Sequence, residues 1–105
     1  MNGGRSLGLV ETWGFVSLVA AADAALKTAP VTLESCHEVG DGVVALVLTG
    51  SVAAVQIAVE AGASHAGRVG TLRMAHVIAR PAGGVEERVI GITRTEEVST
   101  TRTDE

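Results

Sequence analysis

The hydrophobic pattern along the chain changes period several times, and each change marks an element. Residues 6–12 (SLGLVET) alternate, with Leu7, Leu9 and Glu11 on one side and Gly8, Val10 and Thr12 on the other, which predicts a strand. Gly14 breaks it. Phe15, Val16, Val19, Ala22 and Leu26 then recur at helical spacing and predict an amphipathic helix with that stripe inward. Asp23 and Lys27 sit one turn apart on another face, and Pro30 closes the helix near Thr28. Residues 31–39 (VTLESCHEV) predict a second strand with Val31, Leu33, Ser35, His37 and Val39 on one side.

Gly40, Asp41 and Gly42 turn the chain. Residues 43–48 (VVALVL) are apolar at every position, as a strand buried on both faces requires. So short a link predicts an antiparallel hairpin. Thr49-Gly50-Ser51 is the next break, with Ser51 placed as an N-cap. A second helix follows, with Val52, Val55, Val59, Ala66 and Val69 on one stripe and Ala54, Ala58 and Ala61 on another face. Gly62 weakens it, and its end falls between Ala66 and Gly70. Residues 72–80 (LRMAHVIAR) predict the last strand, before Pro81 and the Gly83-Gly84 break. Residues 85–91 fit a short helical turn, and the polar, aperiodic 93–105 read as a disordered tail. The order β-α-β-β-α-β predicts an α+β fold of split βαβ, ferredoxin-like type: an antiparallel sheet with its helices on one face, plus a short C-terminal helix.

Composition narrows the function. The 105 residues suggest one domain, and 47% are hydrophobic, yet Trp13 and Phe15 are the only aromatics. They flank Gly14 and read as packing anchors at the strand–helix corner. The net charge is −4, of which the segment from Glu86 onward carries −3. A nearly neutral body lacks the basic face a nucleic-acid partner needs and offers little repulsion between copies. Cys36 is the single cysteine, which fits a reducing cytosol without an intrachain disulfide. No signal peptide pattern precedes the first strand, and the apolar runs are too short for a membrane span.

Chemistry-bearing residues are sparse. His37, His65 and His76 have no close ligand spacing and no Cys or carboxylate cluster beside them, so neither metal nor cofactor is expected. Cys36 and His37 fall on opposite sides of their strand, which places a nucleophile–base pair badly. Gly40-Asp41-Gly42 precedes a strand rather than a helix and makes a poor phosphate loop. No acid–base constellation points to an enzyme.

Several motifs occur together and in order: ET-x-G (Glu11, Thr12, Gly14), A-x-D-A-x-x-K (Ala21 to Lys27), V-G-x-G (Val39 to Gly42), the start of the second helix, and H-V-I-x-R-P ending at Arg80-Pro81. From about Leu7 to Glu87 the chain resembles the single-domain shell protein of bacterial microcompartments. The resemblance implies a structural tile, not an enzyme, in a microcompartment in the cytoplasm. It implies cyclic homohexamers that tile into sheets with other shell proteins, enclose enzymes, and pass small solutes through a pore on the six-fold axis. Residues 7–90 would form the shell domain, with 1–6 a flexible N-terminus and 91–105 the tail. Lys27 and Arg80 match the hexamer–hexamer edge, and Val39, Gly40, Asp41 and Gly42 match the pore loop.

Two positions depart from the family pattern. Asp41 stands where a small hydroxyl residue or glycine is common, and Ala82 follows Arg80-Pro81 where His is common. A ring of Asp41 carboxylates would favour cationic or neutral solutes over anions. Two unit charges about 10 Å apart repel by only roughly 0.4 kcal/mol in water, so such a ring tolerates ionisation. The rival reading is an oligomeric small-molecule-binding regulatory domain of the same fold, with discrete particles rather than sheets.

Overall fold

The computed structural model describes residues 5–79. They form one compact unit, Arg5–Ala79. The elements are β1 (Ser6–Trp13), α1 (Phe15–Thr28), β2 (Thr32–Gly40), β3 (Val43–Gly50), α2 (Val52–Val69) and β4 (Thr71–Ala79). The segments expected to form a C-terminal helical turn and a polar tail, and Arg80 itself, lie outside the described residues.

The four strands make one sheet in the order β2-β3-β1-β4, with every pair antiparallel. The β-α-β-β-α-β order and the antiparallel sheet agree with the sequence reading. Strand register shows which face the helices cover. Residues directly opposite in an antiparallel pair share a face, so Val10 goes with Leu46 and Ala75, and Gly8 with Leu48 and Val77. Val10, Val44, Leu46 and Leu48 belong to the core together with Leu18, Ala21 and Ala25 of α1 and Val55, Ala58 and Val59 of α2. Both helices therefore pack on one face. β3 is buried along nearly its whole length, as its unbroken apolar run requires.

Ser51 caps α2 as expected. Its side-chain oxygen accepts from the Ala54 N–H at 3.1 Å, satisfying one of the otherwise unpaired donors of the first turn. At the other end, Gly70 N–H donates to Ala66 O at 2.9 Å.

Three sequence expectations are corrected. The inward face of α1 is Ser17, Leu18, Ala21, Ala24 and Ala25. Phe15, Val16, Val19 and Leu26 of the expected stripe are exposed, Val16 to 73%. The reason is the close packing of the two helices: a Cβ built at Gly62 of α2 would lie 3.0 Å from the Ala21 carbonyl oxygen, so only small side chains fit between them. On α2, Val55, Val59 and Ala66 are buried as expected, but Val52 and Val69 at its ends are half-exposed.

The second correction concerns β2, whose alternation breaks near Glu34. Leu33 pairs with Leu48 but Ser35 pairs with Val47, so an extra residue throws Leu33 and Ser35 onto opposite faces. The Thr49 hydroxyl donates to Glu34 Oε2 at 3.0 Å beside this irregularity. The third correction is that Trp13 and Phe15, expected as packing anchors at the strand–helix corner, are both about half-exposed.

Candidate functional site

The V-G-x-G hairpin is built by backbone conformation. β2 ends at Gly40 and β3 begins at Val43, leaving Asp41 and Gly42 as a two-residue loop. Asp41 has φ 55° and Gly42 has φ 84°. Positive φ at both central residues is what the tight I′-type turn between right-twisted strands requires, and Asp-Gly is a preferred pair for it. Gly40 extends the positive run with φ 141°, a value that disfavours any side chain. Turn chemistry alone thus accommodates Asp at position 41. The same geometry holds its carboxylate exposed at the tip, between two residues without side chains. A Cβ built at Gly40 would meet nothing within 4 Å. No described side chain pairs with the Asp41 carboxylate.

The tip is tied to the β1–α1 corner. Gly14 N–H donates to Gly42 O at 2.9 Å, and the Thr12 hydroxyl donates to Gly14 O at 2.9 Å. Trp13 pairs with Val43. Its ring lies alongside the turn: a Cβ at Gly42 would be 4.0 Å from Trp13 Cε3. Two motifs that the sequence places almost thirty residues apart, ET-x-G and V-G-x-G, are therefore one construction. Sequence reading assigned Trp13 no part in it.

Glu11 precedes this corner by two residues in β1. It is 1% exposed and pairs with Arg73, whose guanidinium donates to Glu11 Oε1. Register explains how Arg73 reaches it. Glu11 pairs with Met74 and Thr12 with Leu72, so Arg73 is the extra residue of a bulge in β4, and bulges redirect side chains. Glu11 Oε2 and the Ser6 hydroxyl are buried without a partner among the described residues. Sequence reading gave Glu11 a place in a motif and missed Arg73. Sixty-two positions separate them, and no local pattern signals the pair.

Lys27 stands apart from the hairpin. It occupies the last turn of α1, mostly exposed, with Nζ 3.1 Å from Asp23 Oδ2. Such a pair between solvated side chains contributes only a few tenths of a kcal/mol. Cys36 is exposed and faces away from His37, since they pair with Leu46 and Ala45 respectively. Among the described residues no three His, Cys, Asp or Glu side chains gather to hold a metal. Within the same residues no helix is long and apolar enough to cross a membrane.

This sheet, helix pair and glycine-bounded tip define a shell domain: residues 6–81 match the BMC domain, and the chain belongs to that family of bacterial microcompartment shell proteins. Within it the chain is of the single-domain type, for its relatives of that type align over most of both lengths. It is 44% identical to the bacterial microcompartment shell protein EutM of Salmonella typhimurium over 83 residues, 79% of this chain and 86% of that one. It is 42% identical to the carboxysome shell protein CcmK2 of Synechocystis over 100 residues, 93% and 96% of the two chains. Among solved structures, a microcompartment protein from Desulfitobacterium hafniense superposes with a TM-score of 0.66 at 34% identity. That match covers 72% of this chain and 41% of the longer solved one. The family is structural rather than enzymatic, and its place is the microcompartment shell.

Proposed function

We propose that copies of this chain close into a cyclic homohexamer that tiles edge to edge, with other shell proteins, around encapsulated enzymes in the cytoplasm. Residues 7–90 form the tile, and Lys27 and Arg80 lie at the seam between hexamers. Val39, Gly40, Asp41 and Gly42 line a central pore for small cationic or neutral metabolites. The observation that carries this reading is the hairpin tip. A carboxylate held exposed between two glycines leaves room for several backbones to converge and puts one negative charge per copy at the convergence.

A second feature supports self-association. Phe15, Val16, Val19 and Leu26 present an exposed apolar face on α1, which is unusual for a small domain working alone. The edge strand β2 is exposed along its whole length, and bare edges are normally covered or paired.

The test has two parts. Solution mass of the full chain gives a hexamer, and electron microscopy of the expressed protein gives sheets or tubes. A monomer, or discrete particles without sheets, favours the regulatory-domain reading instead. Asp41→Lys then reverses the charge at the opening. Shells containing it equilibrate a small anion faster, and a size-matched cation slower, than wild-type shells. Unchanged anion passage would show that position 41 does not set the pore's electrostatics.

A further inference from the structure

We propose that Trp13 and Asp41 together form a binding site for quaternary alkylammonium ions at the mouth of the opening. This rests on the reading that Asp41 faces a central pore, and it names the class of solute that the pore prefers. A carboxylate by itself attracts any cation. What narrows the class is the indole alongside the same turn. Trp13 ends β1 opposite Val43, the residue immediately after the turn. Its ring passes 4.0 Å from the point a Gly42 side chain would occupy, and Gly42 is the neighbour of Asp41 in the chain. The hydrogen bond from Gly14 N–H to Gly42 O fixes the corner that carries Trp13 against the tip that carries Asp41. The ring is nonetheless 48% exposed, so part of its surface is open to a solute.

A half-wet indole alongside the turn that carries the Asp41 carboxylate distinguishes between cations. A small inorganic cation keeps its water shell and interacts with the carboxylate through it. A quaternary alkylammonium is weakly hydrated and spreads its charge over its methyl groups. It gains contact with the ring face and the attraction of the ring's quadrupole, for which tryptophan is the best of the aromatic side chains. At an exposed site this preference amounts to about two- to fivefold in affinity.

The protein supplies its own probe, since Trp13 is the only tryptophan and there is no tyrosine. The full-length protein is titrated with tetramethylammonium chloride and, at equal ionic strength, with sodium chloride, while Trp13 emission is followed. Tetramethylammonium produces a saturable change and sodium does not, and Asp41→Asn removes the response. Binding of tetramethylammonium is also followed by broadening of its own proton resonance. There Trp13→Leu weakens it about two- to fivefold, Trp13→Phe weakens it less, and both variants keep the wild-type mass. Equal emission responses to the two salts overturn the Trp13 site. So does undiminished tetramethylammonium binding by Trp13→Leu. In either case a hexamer whose Asp41→Lys variant passes anions faster leaves the pore reading standing. A monomeric wild-type mass overturns both.

Discussion

Gly8→Ala adds a single methyl group to the third residue of β1, and its effect follows from the distances around that position. Gly8 lies on the helix-covered face, opposite Leu48 and Val77. The new carbon would stand 2.5 Å from Val59 Cγ2 and 2.9 Å from Val55 Cγ1, where ordinary carbon–carbon contact needs roughly 3.5 Å or more. Both valines are buried in α2, one turn apart. A valine in a helix has one strongly preferred χ1, so neither can swing aside without strain. The remaining response is for α2 to lift by roughly 1 Å. That disturbs its packing on α1, because Gly62 already lies close to Ala21.

Overpacking of this kind costs about 1–3 kcal/mol. The lower backbone entropy of alanine returns about 0.5–1 kcal/mol. The net expectation is a loss of about 1–2 kcal/mol, or a fall in Tm of roughly 5–15 °C for a domain of this size. Thermal and urea unfolding of the full chain, followed by circular dichroism at one fixed protein concentration, measures it, since assembly makes Tm depend on concentration. Val59→Ala alone removes two buried methyl groups and costs about 2 kcal/mol. In the double variant Gly8→Ala/Val59→Ala the added methyl takes the space Val59 vacates, and only the contact with Val55 remains tight. The pair should be less destabilised than the sum of the singles by at least about 1 kcal/mol. A Gly8→Ala variant as stable as wild type, or strict additivity in the cycle, would refute the reasoning.

Two other substitutions test the frame around the hairpin and the proposed edge. Arg73→Met leaves the Glu11 carboxylate buried without its partner. Breaking a fully buried pair costs about 3–5 kcal/mol, and since the Arg73 side chain is partly solvated the expected loss is about 2 kcal/mol. Glu11→Leu/Arg73→Met should recover most of that loss in urea unfolding, and no recovery would mean that charge burial is not the cause. Lys27→Ala should shift stability by less than about 0.5 kcal/mol, preserve hexamer mass in sizing experiments, and abolish extended sheets in electron microscopy. Hexamers that still tile normally would remove Lys27 from the seam.

The element boundaries were legible because each rests on local chemistry. Pro30 ends α1, Ser51 caps α2, and Asp41-Gly42 supplies the two positive φ values of the hairpin. What the sequence concealed depends on residues distant along the chain. The bulge that brings Arg73 to Glu11 inserts one residue into β4, and alternation counted along a single strand cannot show where a partner's register slips. The same holds for the irregularity at Glu34. The contact between Trp13 and the turn spans two motifs that were read separately. The proposed pore-loop role of these residues came only from their resemblance to a family, since a Gly-Asp-Gly turn in isolation is ordinary hairpin chemistry.

The misreading of α1 has a cause that bears on function. A periodicity argument weights side chains by size, so it takes the stripe with the largest apolar residues as the core face. Here two helices approach until Gly62 meets the Ala21 backbone, and the space between them admits alanine and serine but not phenylalanine or valine. The larger side chains are thereby directed outward, onto Phe15, Val16, Val19 and Leu26. An apolar face of that kind lowers the solubility of a solitary subunit and gains nothing for its fold. It becomes favourable once another surface covers it, with each square ångström of apolar area removed from water contributing about 25 cal/mol. The sequence therefore carries two overlaid amphipathic patterns, a small-residue one that closes the domain and a large-residue one that suits contact with another surface.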